Sequence, residues 1–239
     1  MNEDSKPQPS AAGGATAESP TRLLPKARLE AFSDGVFAIV VTLLVLELKV
    51  PQAGGPLWHE LVQEWPAYLG YFVSFAFIGG SWIAHSNMTR FIKTADAALM
   101  RLNLLLLLFV SFLPFTTSLM ATHLNDPGER LAVVIFGLNL TLAALLVDVL
   151  VGYAARSPGI AADDVAEEEL HAFERERRYA LALQAMATVV AAFLPVVAVM
   201  VFLAVSVLLL FEPLWRAPTA ATRARRQAQE RDDPPDTRG

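Results

Sequence analysis

Residues 28–48 read RLEAFSDGVFAIVVTLLVLEL, a charged and polar beginning followed by a nearly unbroken apolar run. At 1.5 Å per residue, about 20 helical residues cross the hydrocarbon core of a bilayer, so this stretch is long enough to span one. Spanning carries Asp34 into the membrane, where an ionisable side chain is costly unless it contacts protein or water. The stretch therefore predicts a membrane helix whose polar end has a specific role.

A helix over these residues has two different faces. Ile39, Leu43 and Leu46 follow one another at i, i+4 and i+7, and Thr42 lies beside them on the same stripe. Asp34 precedes Ile39 by five residues, which places it about 140° around the helix. The charge therefore faces away from the aliphatic stripe. Such a stripe is typical of a lipid-facing or packed surface, and periodicity alone does not separate these from the lining of a pore.

The composition points to a membrane protein without thiol or metal chemistry. Of the 239 residues, 54% are hydrophobic, and cysteine is absent, which excludes a disulfide framework. The net charge of −5 gives no reason to expect nucleic acid as a partner. Metal-ligand spacings, phosphate-binding glycine loops and nucleophile elbows are missing, so neither an enzyme nor a cofactor is expected. Residues 1–21 and 217–239 are predicted to be disordered tails.

The apolar segments predict an all-α, polytopic membrane protein with six spans in a channel domain over residues 22–214. After the first span, apolar runs cover residues 67–85, 102–120 and 131–154. The last apolar run, 179–211, would be about 50 Å long as one helix against a core of about 30 Å, so we expect two spans with a break near Pro195. The acidic segment 161–178 is predicted to be a solvated cytoplasmic helix that continues into the fifth span.

The distribution of basic residues supports this count. With both termini in the cytoplasm, every lysine and arginine except Lys49 and Arg130 falls on the cytoplasmic side, as the positive-inside rule expects. A single span over 179–211 would instead place the arginines of the C-terminal tail outside. We therefore predict a multi-pass protein of the cell membrane with both ends in the cytoplasm.

The same topology brings polar residues from three spans to one depth near the cytoplasmic side. They are Ser33, Asp34, Trp82, His85 and Asn103. Buried polar groups need partners, and these residues are able to supply one another. One interpretation is a structural connection between helices. The other is a proton relay, because histidine titrates near neutral pH.

The first span also carries a recognisable motif, Arg-x-x-x-Phe-Ser-Asp, formed by Arg28, Phe32, Ser33 and Asp34. In this motif the chain resembles the transmembrane protein 175 family of potassium channels. Further resemblance to that family lies in Trp82, His85, Asn103, Phe109 and residues 113–115. It covers roughly residues 22–214.

The resemblance implies a six-span subunit that forms a homotetramer in membrane lipid, with the first span lining a central pore for potassium ions. It implies that Ile39, Leu43 and Leu46 form the pore and its gate, and that Thr42 contributes to selectivity. It also implies a structural polar network, whose members would be Arg28, Ser33, Asp34, Trp82, His85 and Asn103. A narrow hydrophobic ring is able to gate by dewetting, which fits this expectation.

Three classes of function are therefore weighed. The first is a potassium-preferring channel that conducts passively through a hydrophobic pore. The second is a proton-coupled transporter or proton pathway that uses Asp34 and His85. The third is a membrane scaffold that transports nothing. A channel differs from the other two because it passes current down a gradient without a coupled ion.

Overall fold

The computed structural model describes residues 24–51, 55–90, 92–157, 160 and 167–215, and the two predicted tails lie outside these residues. This part of the chain is almost entirely helical. The helices are α1 Lys26–Leu46, α2 Leu57–Gln63, α3 Trp65–Arg90, α4 Ala97–Ser111, α5 Leu113–His123, α6 Glu129–Arg156, α7 Glu167–Ala191 and α8 Pro195–Trp215. Two short strands, β1 Leu24–Pro25 and β2 Thr94–Ala95, pair in antiparallel fashion. The all-α class is confirmed.

Four segments are long and apolar enough to cross a membrane in the described part of the chain. They are Lys26–Leu46, Trp65–Arg90, Ala97–His123 and Glu129–Arg156, which correspond to the first four predicted spans. Residues Pro195–Phe211 form a shorter apolar helix. The count of six spans goes beyond these four segments and stays a prediction.

The apolar run 179–211 is divided, as predicted. Helix α7 ends at Ala191, α8 begins at Pro195, and the Phe193 and Leu194 amides close the turn by bonding to the carbonyl of Val190. Proline has no amide hydrogen and so fits the first position of a helix, where that hydrogen has no partner. The described part of the acidic segment runs without interruption into the apolar part of α7.

Two elements differ from the sequence prediction. Helix α2 lies in the loop between the first two spans, where no helix was expected. The third span consists of α4 and α5 joined at Phe112. The cause is Pro114 near the start of α5, because its ring nitrogen cannot donate to the carbonyl four residues earlier.

The helices form one bundle in which α1 packs at one side. Helix α1 contacts α3, α4 and α5, while α6 contacts α4, α5, α7 and α8. Glycines allow close approach at the inner contacts: a Cβ atom built on Gly137 would lie 2.6 Å from Phe202 Cζ and 2.8 Å from Thr188 Oγ1. Small residues at such contacts are typical of helix packing in membranes. Helices α4 and α5 therefore pack against both α1 and α6.

Candidate pore helix and polar cluster

A buried hydrogen-bonded triad connects α1, α3 and α4. Asn103 Nδ2 donates to Ser33 Oγ at 2.9 Å, and Asn103 Oδ1 lies 2.9 Å from His85 Nε2. Ser33 Oγ also lies 2.8 Å from the carbonyl oxygen of Leu29, to which it donates. All three side chains of the triad are buried. The three side chains therefore serve as hydrogen-bond partners for polar atoms that would otherwise be unpaired inside the bundle.

Asp34 and Trp82 form a second, separate pair. The Trp82 indole Nε1 donates to Asp34 Oδ1 at 2.9 Å, and both residues are exposed in the single chain. They lie at one end of an open apolar cavity of about 410 Å³ between α1 and α3, which Phe37 and Ile78 also line. The carboxylate is thus held by one neutral donor at the edge of the subunit.

The structure does not bring Arg28 to this cluster. Its side chain is exposed and makes no hydrogen bond or ion pair within the part of the chain that the structure describes. Arg28 lies six residues before Asp34, which is about 120° around the helix and about 9 Å along it. The predicted network of six residues therefore consists, within one subunit, of a buried triad and an exposed pair without the arginine.

The aliphatic stripe of α1 is uncovered in the single chain. Ile39 is 60% exposed, Leu43 41% and Leu46 74%. The opposite face of the helix is buried, with Val40 at 2% and Leu44 at 0%. The stripe therefore has no partner among the other described helices of its own subunit.

Thr42 lies beside this stripe and is also exposed. Its hydroxyl donates to the carbonyl of Ile39 at 2.7 Å. Since the proton is used inside the helix, the oxygen keeps its lone pairs for an outside partner. An oxygen that can only accept is the kind of ligand that a passing cation needs.

Sequence reasoning missed several contacts between helix ends at the side of the bundle where α1 and α4 begin. Asp96 caps α4 by accepting from the Leu99 amide at 2.7 Å, and its second oxygen accepts from the Tyr153 hydroxyl at 2.6 Å. Lys26 Nζ donates to the Thr89 carbonyl at 3.1 Å, near the pairing of β1 with β2. An aspartate directly before the apolar run of α4 was the available signal for the cap. Nothing in the sequence indicated that Tyr153 on α6 would be the second partner of Asp96.

Comparison with known proteins supports the resemblance to the transmembrane protein 175 family. The sequence model of the family described as "Endosomal/lysosomal potassium channel TMEM175" matches residues 28–114. A protein of Streptomyces collinus named as a potassium channel is 46% identical over 121 residues, which are 49% of this chain and 59% of that protein. The human "Endosomal/lysosomal proton channel TMEM175" is 41% identical over 123 residues, 46% of this chain and 24% of that protein.

A solved structure extends the match to nearly the whole fold. The crystal structure of a lysosomal potassium-selective channel TMEM175 homolog from Chamaesiphon minutus superposes with a TM-score of 0.71 at 32% identity. The match covers 78% of this chain and 97% of that one.

Proposed function

Because this chain belongs to the TMEM175 family, we propose that it is a potassium channel in which four copies place α1 around a central pore. The family match and the apolar helices make it a multi-pass membrane protein. In the proposal the hairpin of α7 and α8 supplies the fifth and sixth spans. Both termini lie in the cytoplasm, as the distribution of lysine and arginine favours.

The observation that carries the proposal is the uncovered stripe on the helix with the family motif. Only 28% of the spanning window of α1 is buried, against 44–56% for the other three segments. Four copies around an axis would turn Ile39, Leu43 and Leu46 into three stacked rings. A narrow ring of this kind excludes water until it widens, so it is able to act as a gate.

In this arrangement the polar groups have different tasks. The Ser33, His85 and Asn103 triad stabilises α1 against α3 and α4 from the face opposite the rings. Thr42 presents an acceptor oxygen toward the permeation path and favours the ion that loses its water more cheaply, which is potassium rather than sodium. No resident cofactor enters the proposal.

Proton permeation through Asp34 and His85 is a second candidate, favoured by the name of the human relative and by the polar pairs between α1 and α3. The two candidates differ in what carries the current. Asp34→Asn keeps an oxygen acceptor for Trp82 but cannot take part in a relay at neutral pH. If a proton pathway is the function, this change abolishes acidification of liposomes under a proton gradient. If the rings conduct potassium, potassium flux persists.

The direct test of the channel proposal is flux from liposomes that contain the purified full chain. We expect potassium to leave down its gradient when a protonophore balances charge, and sodium to leave more slowly under the same conditions. Ile39→Asn wets the rings, so it should raise the basal flux and reduce the difference between the two ions. Liposomes whose potassium efflux equals that of empty vesicles would contradict the proposal.

A further inference from the structure

The short helix α2 has no task in the proposed channel. It lies between the end of α1, at Leu46, and the start of α3, at Trp65, so it stands at the surface of the membrane that these two helices cross. Its seven residues contact α3, yet none of them is buried. What covers α2 is therefore decided by the surroundings of the subunit and not by its core.

The side chains of α2 separate into an apolar and a polar arc. At about 100° per residue, the apolar side chains fall within about 140° of the helix circumference. They are Leu57, Trp58, Leu61 and Val62. The polar side chains fall within about 100° on the opposite side. They are His59, Glu60 and Gln63. Helix α2 is therefore amphipathic.

The apolar arc is open, whereas the polar arc is turned toward the segment that follows α1. Trp58 is 79% exposed and Val62 50%. On the polar side, Gln63 lines an open cavity of about 470 Å³ together with Lys49 from that segment. Gln63 Nε2 also lies 2.8 Å from His59 Nε2, in a hydrogen bond between exposed side chains. The apolar arc thus points away from the chain's own loop.

The residue types on α2 indicate which partner fits the apolar arc. An indole ring is apolar but carries one N–H donor, so tryptophan concentrates at membrane–water interfaces. Trp58 and the exposed Trp65 both stand where α1 has ended and α3 begins. The seven residues of α2 include no lysine or arginine, so anionic headgroups offer the helix no attraction. Apolar contact with lipid remains as the force that is able to hold it.

We propose that α2 lies in the membrane–water interface, with Trp58 and Val62 among the headgroups and upper acyl chains of zwitterionic lipid and with His59 and Gln63 toward water. Helices of this kind bury their apolar face about 5–10 Å into the boundary between headgroups and acyl chains. The proposal requires that α1 and α3 cross the membrane. It does not require conduction or four subunits, so failure of the channel proposal and failure of this one give different results.

Spin labels on single cysteines measure the depth of each arc, since the chain has no native thiol. Trp58→Cys and Val62→Cys carry the label on the apolar arc, and His59→Cys and Gln63→Cys carry it on the polar arc. The purified full chain is placed in phosphatidylcholine liposomes. Power-saturation electron paramagnetic resonance then compares collisions of each label with oxygen, which concentrates in lipid, and with a water-soluble nickel chelate. Oxygen collisions should dominate at positions 58 and 62, and nickel collisions at positions 59 and 63.

The two arcs serve as matched controls for each other, because all four labelled residues are exposed and lie on the same short helix. A further substitution tests whether Trp58 is the anchor. In the protein labelled at position 62, Trp58→Ser should lower the oxygen collisions and raise the nickel collisions, whereas His59→Ser should change neither. Raising the salt concentration should leave all readings unchanged, because apolar contact is not screened by ions.

Three results would overturn the proposal. Nickel collisions that dominate at all four positions would mean that α2 lies in water. Labels at positions 58 and 62 that meet neither reagent would mean that protein, such as a second copy of this chain, covers the apolar arc. A shift of these two labels toward water at high salt would mean that charge, and not apolar contact, holds the helix at the lipid.

Discussion

At the scale of single residues, Thr42 is the side chain on the exposed surface of α1 that we propose contributes to ion selectivity. Its hydroxyl proton is committed to the Ile39 carbonyl, so only acceptor lone pairs remain on the exposed side. Thr42→Ala deletes that oxygen without changing the apolar stripe. We expect the potassium-to-sodium permeability ratio, measured from reversal potentials with the two ions on opposite sides, to fall while current persists.

Thr42→Ser is the matched control for this change, because it keeps the oxygen and removes one methyl group. It should retain the wild-type ratio. A ratio that stays unchanged in Thr42→Ala, or that falls equally in Thr42→Ser, would exclude the hydroxyl as a selectivity determinant.

The polar residues shared by α1, α3 and α4 differ in how much stability the protein should lose when each is removed. Asn103→Leu leaves the buried His85 ring without its partner, at about 1–3 kcal/mol, while Ser33 keeps its hydrogen bond to the Leu29 carbonyl. Asp34→Ala strands only the indole of Trp82, which is partly exposed, so its effect on stability should be smaller. Thermal unfolding of the purified variants measures the difference. Equal losses, or a larger loss in Asp34→Ala, would mean that the triad is not the main connection.

The common depth of these polar residues was predictable from the sequence, but their pairing was not. Span order and helical rise placed Ser33, Asp34 and Asn103 in one layer, and the structure brings Ser33 and Asn103 into contact. Neighbouring residues on a helix point about 100° apart, so Ser33 and Asp34 meet different helices. Which helices those are depends on packing. For the same reason, nothing in the motif indicated that Arg28 lies outside the cluster.

At the scale of elements, the contact of α6 with α7 and α8 depends on the absence of a side chain at Gly137. A Cβ atom there would lie 2.6 Å from Cζ of Phe202, whose side chain is fully buried. Gly137→Ala should therefore lower the stability by about 1–3 kcal/mol, the usual cost of overpacking a core. The measurement is the shift in the thermal unfolding midpoint of the purified protein.

Gly35 provides the matched control, since a Cβ atom at that position in α1 meets nothing within 4 Å. Gly35→Ala should leave the subunit fold intact, because alanine is a better helix former than glycine by about 1 kcal/mol. If Gly137→Ala proved as stable as Gly35→Ala, the close approach of α6 to Phe202 would be wrong.

The breaks between helices were predictable only where length demanded one. Residues 179–211 are too long for a single crossing, and Pro195 marked where the run divides, which the structure confirms. The division of α4 from α5 at Phe112 was missed, since a proline inside a span of ordinary length does not require a break. Helix α2 has only seven residues, too few for a periodic pattern to identify it.

At the scale of the whole molecule, the family was predictable from the motif of α1, and the comparisons confirm it. The assembly of four subunits is implied by the resemblance and stays a prediction, because no residue in a single chain encodes a fourfold axis. The chain does carry an apolar stripe that its own helices leave open. Assembly of four copies is our explanation for that stripe, and it requires that α1 lines the pore.

Cysteine accessibility along α1 tests that claim most directly, because the chain has no native thiol. Single cysteines are placed at Ile39, Leu43 and Leu46 on the stripe, and at Val40 and Leu44 on the buried face. A water-soluble thiol reagent is applied while potassium current is recorded across a bilayer. We predict that the reagent changes the current at the three stripe positions and leaves it unchanged at the two buried ones. Modification of current at Val40 and Leu44, with none at the stripe, would show that α1 does not line the pore.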